Sequence, residues 1–256
     1  MDTVQIPEIN ILPYQKNAAD YNMALDEHLM SLSGTYLRFY GWEPTTLSLG
    51  RLNQHDDVDL QFCKKNGIRL IKRRSGGKAI LHQHELTYAF ITDAGLFPMS
   101  VRDSYRLITQ PIANGLRKLS LSPEMKDAEK AKDTSSICFK EVSAYELTVG
   151  SKKIVGSAQF RRRRRFCQHG SILLDADWSL WKKIWGIPED SQILEKRITS
   201  LKKELVNLPE IETIQQILID EFLASFGARK KLFKLNVEDK IKLQELKRDY
   251  TWAENS

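Results

Sequence analysis

Cysteine is scarce in this chain: three among 256 residues, at Cys63, Cys138 and Cys167. An odd number without metal-ligand spacing excludes a disulfide framework and a thiolate zinc site, and favours reduced thiols in a cytoplasmic protein. No apolar run reaches membrane-spanning length, so no membrane partner is expected. The opening Met1-Asp-Thr-Val-Gln-Ile-Pro7 carries an early acid and no apolar stretch, so no signal peptide is expected either. Internal repeats and low-complexity linkers are absent. The glycine spacing fits neither a Walker loop nor a dinucleotide fingerprint. No helix pattern carries a continuous basic stripe with interleaved aromatics, which argues against nucleic acid as a partner.

What is present has the make-up of a folded enzyme, with 41% hydrophobic and 28% charged residues. The net charge of +6 favours acidic partners. Arg161 to Arg165, five consecutive arginines, reads as a solvated turn or as a docking surface for an acidic protein. Periodicity predicts an α/β or α+β pattern. Tyr21, Leu25, Leu29 and Leu32 recur at helical spacing. Strands are predicted over 37–40 and 46–49, parted by a turn at Gly41-Trp-Glu-Pro44, and again over 68–72 after a short helix at 58–66. Glu85 to Ile91 alternates Leu86, Tyr88 and Phe90 against Thr87 and Ala89. Val101 to Leu119 reads as a longer helix, and Ser122 to Ser136 as a mobile loop leading to Cys138. Three further strands are predicted over 144–149, 153–159 and 168–174. The last third turns helical, with a stripe at Ile211, Ile214, Leu218, Phe222 and Phe226. The expected organisation is a single domain over 1–256 with 205–256 as its C-terminal helical portion.

Three segments carry chemistry. In the first, Cys138 stands just ahead of a predicted hairpin whose second strand holds Lys153 and the run Gly156-Ser157-Ala158. Acyl transfer through a thioester needs such a pair, a soft nucleophile and a fixed cation. The plainer alternative makes Cys138 a small buried hydrophobe and Lys153 a solvated strand residue. In the second, Lys72-Arg73-Arg74-Ser75-Gly76-Gly77 follows a strand and runs on to His82, Glu85 and Tyr88. Paired glycines let a backbone approach a ligand closely, although most such pairs are plain turns. The third is Gln168-His169-Gly170-Ser171, where a lone histidine is more often structural than catalytic.

In this order and wording the segments resemble the lipoate/octanoate transferase and ligase family. The Gly-Gly segment is similar to its Arg-Arg-x-Thr-Gly-Gly-x-Ala-Val-x-His motif, and the run through Gly156-Ser157-Ala158 to its Gly-x-Lys-x-x-Gly-Ser-Ala motif, which points to Lys153. Cys138-Phe139 ahead of Tyr145-Glu-Leu-Thr-Val149, with Gln168-His-Gly-Ser171 after it, resembles the cysteine-dependent octanoyltransferases of that family. The likeness extends from Tyr21-Asn-Met-Ala-Leu-Asp-Glu27 and Leu37-Arg-Phe-Tyr-Gly-Trp-Glu-Pro44 to Arg197-Ile-Thr-Ser-Leu201 and Tyr250-Thr-Trp252. Lys72, Ser75 and Lys78 depart from the usual motif residues, as does the arginine run where apolar residues are usual.

The resemblance implies the biotin/lipoate protein ligase fold, with mixed, largely antiparallel sheets flanked by helices. It implies transfer of an octanoyl group from the phosphopantetheine arm of acyl carrier protein, through a Cys138 thioester, to a lysine of a lipoyl domain or glycine-cleavage H protein. Lys153 would lower the thiol pKa, stabilise the oxyanion or orient the carbonyl. Gly76 and Gly77 would line an acyl tunnel shaped by His82 and Tyr88, and Arg73, Ser75, Gly156, Ser157, Ala158, His169 and Gly170 complete the expected substrate-binding set. No metal and no cofactor are expected, the octanoyl-phosphopantetheine being a substrate. The alternatives are an ATP-dependent lipoate-protein ligase, an amidotransferase that moves octanoyl from H protein to other lipoyl domains, and a non-catalytic binding module.

Overall fold

The computed structural model describes residues 4–51, 57–97, 100–125 and 146–250. In chain order, β1 (Glu8–Ile11) and β2 (Gln15–Asn17) lead into α1 (Ala19–Ser31). Next come β3 (Thr35–Trp42), β4 (Thr46–Leu49), α2 (Leu60–Lys65), β5 (Arg69–Lys72), β6 (Ile80–His82) and β7 (Glu85–Asp93). After α3 (Val101–Lys118) follow β8 (Glu124–Met125), β9 (Leu147–Val149), β10 (Lys152–Arg162) and β11 (Arg165–Leu173). The chain closes with α4 (Trp178–Ile184), α5 (Ile193–Arg197), α6 (Leu201–Glu204), α7 (Ile211–Phe226), β12 (Arg229–Leu232) and α8 (Val237–Lys247). Short polar side chains start several of these helices. Asp59, Ser100, Asp177 and Asn236 each accept a backbone N–H of the first turn.

A nine-stranded sheet runs in the order β12-β1-β3-β7-β11-β10-β9-β8, with β2 paired to β3; a three-stranded sheet runs β5-β4-β6. Among the named strands, β12-β1, β1-β3, β2-β3 and β4-β5 pair in parallel and the other pairs are antiparallel. The fold is thus mixed and largely antiparallel, with helices against both faces of the large sheet. On one face Leu37, Phe39, Leu86, Tyr88 and Phe90 pack with Ile112 and Leu116 of α3 and Leu218 and Phe222 of α7. On the other, Tyr40, Ala89, Ile91 and Cys167 pack with Met23, Leu25 and Leu29 of α1 and Leu243 of α8. Phe222, at 0% exposure, stacks on Phe90 with 5.5 Å between ring centroids. Burial of one such side chain contributes about 2–3 kcal/mol.

Several elements depart from the sequence reading. The alternation along β7 suggests one wet face, yet both faces are buried because α1 covers the Thr87 and Ala89 side. Gly41 and Trp42, read as part of a turn, extend β3 because Lys16 and Asn17 of β2 pair with them. Arg162 and Arg165 are strand residues paired across a two-residue tip, so with Arg161 three of the five arginines belong to strands and two to the turn. Glu124 and Met125, read as loop, pair with Thr148 and Leu147. Within the stretch read as helical from 205 onwards, β12 joins the sheet edge beside β1. No helix among the described residues is long and apolar enough to cross a membrane. Cys63 and Cys167 are free and buried.

Candidate active site

The β9–β10 hairpin forms as the sequence predicts. Its tip, Gly150-Ser151, has φ of 53° and 66°, the left-handed geometry that two-residue hairpin turns require. Lys153 then sits on β10 with 0% exposure, and its Nζ donates to Glu146 Oε1 at 2.6 Å. Three residues on, β10 and β11 pair Gly156 with Ser171, Ser157 with Gly170 and Ala158 with His169. Gly170 is required by close approach: a Cβ there would lie 2.5 Å from Ser157 Oγ and 2.6 Å from the Gly156 carbonyl.

These strands form one wall of a narrow cavity, and the opposite wall comes from β4, β6 and the residues after β5. Arg73, His82, Gly156, Ser157, Ala158, His169 and Gly170 all line it, joined by Ser48, Trp42, Thr87, Ser171 and Met23. The cavity volume is about 20 Å³.

Two hydrogen-bonded chains reach the cavity. In the first, His82 stacks on Trp42 with 4.0 Å between ring centroids. Its Nε2 lies 2.8 Å from Ser48 Oγ and its Nδ1 3.2 Å from Glu85 Oε1. Glu85 also accepts from the Thr87 and Ser171 hydroxyls. Burial pulls the His82 imidazole below its ordinary value, against the opposing hydrogen bond and charge of Glu85. His82 is therefore neutral at pH 7, and the arrangement requires Nδ1–H to donate to Glu85 while Nε2 accepts from Ser48. In the second chain, His169 Nε2 lies 2.6 Å from Ser75 Oγ, and Nδ1 lies 3.6 Å from Asp26 Oδ2. Asp26 in turn accepts from Arg38 at 2.9 Å and from Tyr40 at 3.1 Å. Asp26, Cys167 and His169 offer donor atoms within 4.8 Å of one another. Asp26 already serves Arg38 and Tyr40, His169 serves Ser75, and burial pushes the Cys167 thiol well up, so the trio does not fit a metal as it stands.

Arg73 is a staple for the Gly-Gly loop. Its guanidinium donates to the carbonyls of Ser48 at 2.9 Å, Gly76 at 2.9 Å and Lys78 at 2.6 Å. That ties the loop to β4. Gly50 lies directly beneath it, where a Cβ would stand 1.8 Å from the Gly77 carbonyl oxygen. Gly50→Ala is therefore expected to displace the loop, lowering stability by about 1–3 kcal/mol. Acyl transfer should fall with it. Urea unfolding and transfer rates check both; an unchanged midpoint and rate would show that the loop is not held there.

Of the predicted site residues, seven meet at the cavity. Ser75 and Tyr88 stand one bond behind it, Ser75 on His169 and Tyr88 with its hydroxyl 2.7 Å from Ser157 Oγ. Tyr88 packs in the core as well. Gly76 and Gly77 are exposed and are not among the residues that line this cavity. Lys153 is also off the wall, buried against Glu146. Cys138 lies outside the described residues, as do Thr251 and Trp252. Sequence reasoning missed Ser48, Thr87 and Ser171 as cavity residues and gave Glu85 and Asp26 no role. Asp26, Arg38 and Trp42 lie in segments that carried the family likeness, which was the available signal; Ser48, on a four-residue strand, had none.

The family model described as the lipoyl protein ligase A/B catalytic domain matches residues 18–225. The chain belongs to this family. It is 35% identical over 251 residues to Octanoyltransferase LipM of Geobacillus kaustophilus (strain HTA426), covering 89% of this chain and 90% of that protein. Octanoyltransferase LipM of Kyrpidia tusciae is 34% identical, with 92% and 93% covered. Among solved structures, a lipoate-protein ligase A bound with ATP superposes with a TM-score of 0.79 at 20% identity, over 95% of each chain. A bi-partite lipoate protein ligase from Thermoplasma acidophilum gives 0.77 at 20% identity, over 94% of this chain and 92% of that one. At that identity the structures establish the fold, and the curated relatives make this lipoyl protein ligase A/B family member an acyltransferase.

Proposed function

We propose that this acyltransferase moves an octanoyl group from acyl carrier protein, through a thioester on Cys138, to a lysine of a lipoyl domain or glycine-cleavage H protein. Likeness to Octanoyltransferase LipM proteins over nearly the whole chain carries the reading. Cys138 Sγ attacks the carbonyl of the donor thioester, and the phosphopantetheine sulfur leaves and takes up a proton. The ε-amine of the acceptor lysine then attacks the Cys138 thioester, loses its proton, and forms the amide as the Cys138 thiol is restored. Lys153, in its ion pair with Glu146, supplies a buried cation on the strand that leads to Gly156-Ser157-Ala158. A buried, fixed charge of this kind stabilises an oxyanion more strongly than one in water.

Intact-protein mass spectrometry after mixing with octanoyl-acyl carrier protein, without ATP, is the test. One octanoyl adduct, released by hydroxylamine and passed to a lipoyl acceptor, is expected. Acceptor modification only when ATP and free octanoate or lipoate are supplied would overturn the transferase reading in favour of a ligase.

A further inference from the structure

Beside the narrow cavity lies a second, wider one of about 300 Å³, between α1, the residues after β4 and β5, and the outer half of β10. Arg51, Arg74, Arg161 and Arg162 line it, and Glu27 is the one carboxylate among the described lining residues; Arg161 is turned to Ser104, which leaves Arg51, Arg74 and Arg162. Glu27 is nearly buried, with its side chain 11% exposed, whereas the arginines reach solvent: Arg162 is 62% and Arg74 47% exposed. Arg74 Nη2 donates to Glu27 at 3.1 Å, Arg162 Nη1 donates at 2.5 Å, and the Tyr250 hydroxyl donates at 2.6 Å. Burial raises the Glu27 carboxyl, but the hydrogen bonds from Tyr250, Arg74 and Arg162 more than offset that, and its pKa lies below the ordinary value. Glu27 thus stays ionised and fixes two guanidinium groups in place. Each guanidinium has five N–H donors, so both retain donors for an incoming anion. The excess charge is positive, four arginines against one carboxylate among the described lining residues.

The cavity adjoins the active site. Arg51 N donates to the Ser75 carbonyl at 3.0 Å, and Ser75 holds His169. Phe160, on its wall, packs 5.9 Å from the His169 ring. The phosphate of a carrier-bound arm is a diester with one negative charge and two non-bridging oxygens, which oriented guanidinium groups can meet with paired N–H donors.

We infer that Arg51, Arg74 and Arg162 form a phosphate site that holds the phosphate of the phosphopantetheine arm while its acyl thioester enters the neighbouring cavity. The inference rests on the carrier-protein donor proposed above, and it gives the arginine run a specific duty: Arg162 grips the donor arm.

The test is calorimetric titration of the full chain with 4′-phosphopantetheine, pantetheine and ATP, for wild type, Arg162→Gln and Arg74→Gln/Arg162→Gln. Wild type is expected to bind phosphopantetheine about 10- to 100-fold tighter than pantetheine, as two or three charge-assisted contacts imply. That preference should shrink in Arg162→Gln and approach unity in the double variant, with pantetheine affinity unchanged. Arg162 is largely exposed, so its single variant tests the site even if the double variant unfolds. Equal wild-type binding of phosphopantetheine and pantetheine would overturn the site. So would an arginine dependence seen with ATP alone, which would assign the cavity to a nucleotide. The binding readout needs no turnover. A chain that prefers phosphopantetheine yet forms no octanoyl adduct keeps the phosphate site and loses the transferase reading.

Discussion

Cys138→Ala is expected to abolish octanoyl transfer, lowering kcat/KM by on the order of 10³-fold or more and eliminating the octanoyl adduct. The structure strengthens this through the other two thiols. Burial, with the nearby Asp59 charge, pushes the Cys63 thiol up to about 11. Burial likewise pushes the Cys167 thiol well above its ordinary value. At neutral pH a thiol with a pKa near 11 is ionised to roughly one part in 10⁴, too little for a nucleophile. Neither is a credible acyl carrier, so Cys63→Ala and Cys167→Ala should still take up octanoyl. Single-turnover transfer and intact mass across the three variants decide the matter. An adduct that survives Cys138→Ala and disappears with Cys167→Ala would move the nucleophile to β11.

Lys153→Met has the second largest expected effect, and it should appear in two quantities at once. The Lys153 Nζ to Glu146 Oε1 contact of 2.6 Å is buried on both sides, with side chains 0% and 3% exposed. Removing one partner leaves a carboxylate without its cation in a low-dielectric interior, at a cost of about 3–5 kcal/mol in stability. Acyl transfer should fall by about 10²- to 10³-fold, the range for losing a charge that stabilises an oxyanion. The double variant Lys153→Met/Glu146→Leu separates the two effects. It should regain most of the stability, because no charge is left stranded, while transfer stays low. Urea midpoints and transfer rates on the two variants provide the check. Recovery of transfer together with stability would reduce Lys153 to a structural residue.

The motifs named seven of the residues that line the narrow cavity. Gly156-Ser157-Ala158 and Gln168-His169-Gly170-Ser171 face each other in register, so two runs distant in sequence build one wall. The Arg-Ser-Gly-Gly segment was recognisable too, although its spelling did not show where the Arg73 guanidinium would be held. Arg73 turns its guanidinium onto three carbonyls. A guanidinium's partners are chosen by the fold, and nothing in the local spelling announces them.

By itself the sequence determined the class of fold, the family, the β9–β10 hairpin and the α7 stripe. Each of these depends on contacts or propensities within a few residues, or on motifs kept in order. Only the tertiary structure decided that Glu85, Thr87 and Ser171 gather behind His82, that Asp26 of α1 reaches His169, and that Glu27 sets two arginines around a cavity beside the active site. Glu85 and Thr87 lie within five residues of His82, but Ser171 and Glu85, Asp26 and His169, and Glu27 and its arginines are far apart along the chain and meet only through the packing of the large sheet. A buried polar group must find its hydrogen bonds wherever the packing brings them, and linear spacing holds no record of that choice.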